Sequence, residues 1–160
     1  MSEMRVVGVR VELPANQPIL LLRETSGDRY LPIWIGSVEA TAIALEQQGV
    51  KPARPLTHDL FVNVLQNLGV NLERVEVTEI RDHTFYAELH LSTPTGPKVV
   101  SSRPSDAIAL AVRFGAPLFA SDELLDEVGQ VPAPEPEDEQ EEIIDEFKDF
   151  LKTVNPDDFA

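Results

Sequence analysis

The sequence has no cysteine. That excludes disulfides, thiolate nucleophiles and thiolate metal sites together, and it fits a reducing compartment. Long apolar runs are also missing. The opening MSEMRVVGVRVELP has neither the apolar core nor the small-residue cleavage site of a signal peptide. No run approaches the ~20 residues that span a bilayer, so a soluble, cytoplasmic protein without a membrane partner is expected. No glycine-rich phosphate cradle, Gly-x-Ser-x-Gly elbow or His-x-x-x-His spacing occurs. Basic residues are few and scattered, 13 Lys+Arg against 28 Asp+Glu, for a net charge of −15. The imbalance is local. Residues 1–120 hold 13 acids and 11 Lys+Arg, whereas residues 121–160 hold 15 acids and 2 Lys. The body is therefore nearly neutral, and the C-terminal appendage carries the excess as a solvated acidic face that promotes solubility or competes with an anionic ligand.

Hydrophobic residues make up 42% of the 160-residue chain, enough for one domain with a real core. Val-rich or alternating segments at 4–13, 19–24, 30–35, 72–80, 85–91 and 97–102 predict strands. Pro32, which cannot donate to a ladder, places the third at an edge or a strand start. In FYAELHL, Phe85, Ala87, Leu89 and Leu91 point one way, and Tyr86, Glu88 and His90 the other, as in an antiparallel meander. Helices are expected to start at Ser37, Thr57 and Ser105 as N-caps, each with an acid in its first turn, and to stop at Gly49, Gly69 and Gly115. Leu60, Val64, Leu65 and Leu68 form an apolar stripe on the second. The third, apolar nearly all round, is expected to be the most buried. A short strand at 118–120 and a short helix at 122–128 follow. The fold class is α+β, a mixed, largely antiparallel sheet packed with about three main helices.

Residues 129–138, with three prolines in QVPAPEPE, read as a stiff linker. Beyond it, Ile143, Ile144, Phe147, Phe150, Leu151 and Val154 recur at helical spacing. Residues 139–160 are thus expected to be an acidic amphipathic C-terminal helix and tail, whose apolar face docks on the body or on a neighbouring subunit.

Polar residues concentrate where a plain core does not need them. Arg54-Pro-Leu-Thr57-His58-Asp59 and Arg103-Pro-Ser105-Asp106 both place an Arg before a Pro, then a hydroxyl, then an Asp at a helix mouth. A cation, N–H donors and a carboxylate suit phosphate, and carboxylates there can hold Mg²⁺ or Mn²⁺. The plain alternative is capping, with Thr57, Ser105, Asp59, Asp106 and Glu39 simply satisfying helix ends. His58 is placed to be a general base, whereas His83 reads as a turn residue. His90 shares a strand face with Glu88 and can join a polar cluster there.

The order LPIWIG-xx-EA, RPLTHDL, TFYAEL and SRPSDAIALAVR, over roughly residues 5–128, resembles the bifunctional nuclease domain family. The ending FKDFLKTVNPDDF is similar to that of actinobacterial-type members. The resemblance implies an α+β domain over residues 1–128, a homo-oligomer and a nuclease acting on RNA or DNA. Carried over by motif position, it points to Glu39, Arg54, His58, Asp59, Glu88, Arg103, Ser105 and Asp106. In the corresponding mechanism Asp59 and Asp106, with Glu39 or Glu88, hold a divalent metal such as Mg²⁺ or Mn²⁺. Arg54, Arg103 and Ser105 bind phosphate, and His58 activates water. A non-catalytic regulatory or ligand-binding module with an acidic helical tail is the competing expectation, because the near-neutral body lacks the basic footprint that supplies most nucleic-acid affinity.

Overall fold

A computed structural model describes residues 1–12 and 16–131. The expected tail helix and most of the linker lie outside the described residues. Seven strands form one sheet: β1 (Ser2–Glu12), β2 (Gln17–Glu24), β3 (Tyr30–Trp34), β4 (Asn71–Arg81), β5 (Thr84–Thr93), β6 (Gly96–Ser102) and β7 (Leu118–Ala120). Their spatial order is β3-β2-β1-β7-β4-β5-β6. Two antiparallel meanders, β1–β2–β3 and β4–β5–β6, are joined by β7, which runs antiparallel to β1 and parallel to β4. The sheet is therefore mixed and largely antiparallel, and four helices complete an α+β fold.

Local chemistry accounts for most of these elements. Alternation in β2 buries Leu20 and Leu22, and in β5 it buries Ala87 and Leu89. The β4–β5 hairpin turns on Asp82 and His83, both at positive φ (50° and 64°), the conformation that matches the right-handed twist of the flanking strands. β3 is the outermost strand; among the described residues its far side carries only the Tyr30–Gln130 bridge, so an edge position tolerates Pro32.

The helices are α1 (Ser37–Gln47), α2 (Thr57–Asn67), α3 (Pro104–Phe114) and α4 (Asp122–Val128). The expected caps shift toward the N-terminus. Gly36, Leu56 and Arg103 occupy the extended N-cap positions of α1, α2 and α3, and none makes a side-chain cap bond. Ser37 and Thr57 are the first helical residues. Pro104, whose fixed φ and missing N–H suit a helix start, displaces Ser105 one place into α3. Only α4 has a hydroxyl cap, with Ser121 accepting from the Leu124 N–H. Gly115 ends α3 at φ 67° in the left-handed region.

The core lies between the sheet and α1, α3 and α4. Ile43, Ile108, Leu124, Leu125, Val75 and Val77 are fully buried there. α3 packs on α1, α2, β4 and β5, as its apolar circumference predicts. α2 differs from that arrangement: Leu60, Phe61, Val64 and Leu68 are exposed, and Val62 is its one buried residue.

Candidate functional site

Hydrogen bonds draw the starts of α1, α2 and α3 to one place. In each helix the third position carries an acid: Glu39, Asp59 and Asp106. Arg103, at the α3 N-cap, donates from Nη2 to Glu39 Oε1 (2.8 Å) and from Nε to Asp106 Oδ2 (2.8 Å). Asp106 Oδ1 lies 2.9 Å from His58 Nε2. A continuous chain Glu39–Arg103–Asp106–His58 thus links residues from all three helix mouths. The hydrogen bond from Asp106 comes first and that from Glu39 second in holding the Arg103 guanidinium above its ordinary value. Arg103 remains 65% exposed, and its Nη1 has no partner among the described residues.

His58 is only 12% exposed, so the carboxylate of Asp106 sets its orientation. A second short wall lies alongside. Asp59 Oδ1 accepts from Arg113 Nε (2.7 Å), and its Oδ2 accepts from the Leu56 N–H (3.0 Å). Arg113, 6% exposed, also donates to the carbonyls of Ala109 and Ala42. It fastens α1, α2 and α3 together. Gly36 allows the approach of Glu39, because a Cβ there would collide with the Glu39 carboxylate.

Of the Glu39–Arg103–Asp106–His58 chain, Arg103 alone lines a cleft of about 340 Å³, together with Ile33, Trp34, Gly36, Phe85 and Ser105, among others. Trp34 is exposed there. A smaller hollow of about 100 Å³ lies against Ala42, Leu56, Thr57 and His58. The starts of α1, α2 and α3 therefore meet, although up to 64 residues separate bonded partners, and Phe85 of β5 joins Arg103 in lining the larger cleft.

The remaining expected residues fall differently. Arg54 is exposed and forms no ion pair among the described residues; the partner of Asp59 is Arg113, which the sequence disguises as a helix C-terminal cation complementing its dipole. Ser105 lines the cleft with little exposure, 5%. Each carboxylate oxygen of Asp59 and Asp106 is engaged by one protein hydrogen-bond partner, which leaves it a second lone pair. Glu88 stands apart on β5, grouped with Glu76 and His90. Glu76 had no signal of its own in the sequence, since a Glu in an alternating strand reads as solvent-facing.

With this arrangement established, residues 20–133 match the bifunctional nuclease domain. The chain belongs to that family. Two proteins of Mycobacterium tuberculosis, both named as uncharacterized, are 49% identical to it over 164 residues, covering 99% of this chain and 98% of theirs. Bifunctional nuclease 2 of Arabidopsis thaliana is 29% identical over 106 residues, covering 64% of this chain and 32% of the plant protein. The family match takes in the three helix mouths and the TFYAEL segment on β5. Among the described residues, no helix is long and apolar enough to cross a membrane.

Proposed function

We propose that this bifunctional nuclease domain hydrolyses phosphodiester bonds in RNA or single-stranded DNA at the mouths of α1, α2 and α3. The observation that carries the reading is the Asp106–His58 pair beside an exposed Arg103 at the rim of the cleft. Asp106 orients the imidazole and would stabilise it once it takes a proton. His58 then removes a proton from the attacking water. Arg103 Nη1 meets the scissile phosphate, while Glu39 and Asp106 fix the guanidinium plane. Asp59 positions the α2 start through Arg113. Trp34 and Phe85 offer ring surfaces on which an unpaired base can stack. A bound Mg²⁺ or Mn²⁺ would offset the charge on the phosphoryl oxygens, and Asp59 and Asp106, each oxygen of which keeps a free lone pair, would be its candidate ligands. The reading includes nucleic acid as partner and a homo-oligomer as the working form, which would gather dispersed arginines into one groove.

The test is cleavage of labelled RNA and single-stranded DNA by highly purified protein, with Mg²⁺, with Mn²⁺ and with chelator. His58→Ala and Arg103→Ala, purified identically, should each lower the rate by about 10²-fold or more. Equal rates in wild type and both variants would assign the cleavage to a contaminant.

A second reading is a binding module without turnover. It draws on the charge around Arg103, whose single cation is outweighed by the two carboxylates that hold it. It predicts ligand-dependent thermal stabilisation by small phosphates or oligonucleotides with no product formed.

A further inference from the structure

We propose that Glu76, Glu88 and His90 form a binding site for one divalent first-row transition ion. None of the three belongs to the helix-mouth chain, so the site stands independently of the phosphodiesterase reading. β4 and β5 are antiparallel with Glu76 directly opposite Glu88, and His90 lies two residues beyond Glu88 on the same strand face, opposite Arg74. One ligand atom from each lies within 4.8 Å of the other two.

Three features of this cluster are unfavourable without a cation. Like charges directly opposite on paired strands repel, and here the pair is half-buried, with Glu76 only 14% exposed. Arg74 relieves one side by donating to Glu76 Oε1 (2.9 Å). The Glu88 carboxylate has no hydrogen-bond or ion-pair partner among the described residues. His90 Nε2, finally, is a fully buried polar atom without a hydrogen bond, although Glu76 Oε2 lies 3.0 Å away. The distance is that of an ion pair, but the alignment is not that of a hydrogen bond. A buried polar atom whose one close partner is poorly aligned for a hydrogen bond calls for an explanation such as strain, function or a missing ion.

A shared metal ion resolves all three. Two ligands about 2.1 Å from one ion lie about 3.0 Å apart at an octahedral right angle and about 3.4 Å apart at a tetrahedral angle; His90 Nε2 and Glu76 Oε2, 3.0 Å apart, match the octahedral value. Arg74 occupies Oε1 and leaves Oε2 for the ion. Glu88 brings the second carboxylate and neutralises the charge. Mixed imidazole and carboxylate donors favour Mn²⁺, Co²⁺ or Zn²⁺ over Mg²⁺ and Ca²⁺, which prefer oxygen alone. The competing arrangement is a protonated His90 shared with Glu76, leaving Glu88 unbridged.

Full-length protein freed of metal by chelation and dialysis is titrated with Mn²⁺, with the free ion followed by electron paramagnetic resonance. One ion per chain should bind in the presence of tenfold excess Mg²⁺, and the bound ion should show nitrogen hyperfine coupling from one imidazole. Glu88→Gln and His90→Gln should each weaken binding more than tenfold, and His90→Gln should abolish the nitrogen coupling. Glu139→Gln/Glu141→Gln, in the acidic tail, should leave the tight site unchanged. Wild-type protein that binds no ion tightly, or binds one without nitrogen coupling, overturns the proposal whether or not the variants fold. Coupling that survives in a folded His90→Gln protein overturns it as well. Because binding is read without substrate, its failure is distinguishable from failure of the nuclease reading.

Discussion

α2 and α3 begin alike and end in different surroundings. Each has eleven residues, starts at or just after an Arg-Pro pair and carries an Asp at its third position. α3 buries seven residues, Pro104, Ser105 and Ala107–Ala111, whereas α2 buries Val62 alone and turns Leu60, Phe61, Val64 and Leu68 to the outside. A hydrophobic stripe thus specifies which face of a helix seeks cover, but not whether the same domain supplies it. α3 is covered by α1, α2, β4 and β5. Among the described residues nothing covers the α2 stripe, and exposed apolar surface of this kind marks an interaction site; in the homo-oligomer proposed above, a second copy would cover it.

Several substitutions sharpen that contrast. Ile108→Ala, in the buried body of α3, should cost about 2–5 kcal/mol. Val64→Ala, on the exposed stripe of α2, should cost at most about 0.5 kcal/mol in a dissociated chain. Urea unfolding of both at low protein concentration checks the difference, and equal losses would mean that α2 is covered within one chain.

Arg113→Met should cost about 2–3 kcal/mol, since it leaves Asp59 without its cation and removes the guanidinium's bonds to the Ala109 and Ala42 carbonyls. The same substitution should loosen the α2 start and lower any His58-dependent activity. A stable Arg113→Met protein with unchanged activity would remove Asp59 and Arg113 from the positioning scheme.

Phe61→Glu with Val64→Glu should leave the fold of the chain intact while shifting sedimentation toward the 17.7 kDa species. Wild-type protein that already sediments only at that mass would break the comparison at its root.

The smallest expected effect concerns the acidic appendage. Removing residues 130–160 takes away most of the net negative charge, so nucleic-acid affinity should rise several-fold at low salt and converge with that of the full chain near 0.5 M salt, where screening is strong. An unchanged salt series would show that the tail acts elsewhere.

Much of the architecture could be read from local chemistry. Alternation located β4 and β5 to within a residue or two, the Asp82-His83 turn and the stop at Gly115 lie where turn and C-cap residues demand, and Pro32 marked an edge strand. The motif segments carrying Glu39, His58, Asp59, Arg103 and Asp106 were visible as polar residues at helix mouths, and their joint order identified the family. Helix starts were read one or two residues late because a hydroxyl is favoured but not required at an N-cap; Gly36, Leu56 and Arg103 adopt the extended conformation without one.

Long-range geometry decided the rest. The three-residue β7 joins two meanders that no local signal orders. Arg103 reaches Glu39 across 64 positions, and Arg113 rather than Arg54 takes Asp59. Glu76 meets Glu88 and His90 only because the β4–β5 register puts them on one face. By itself the sequence determined the elements, their polarity and the family, since each follows from contacts a few residues apart. The partners of its charges, and the exposure of the α2 stripe, were settled by which surfaces the folded chain brings together, and that depends on the whole sheet closing around β7.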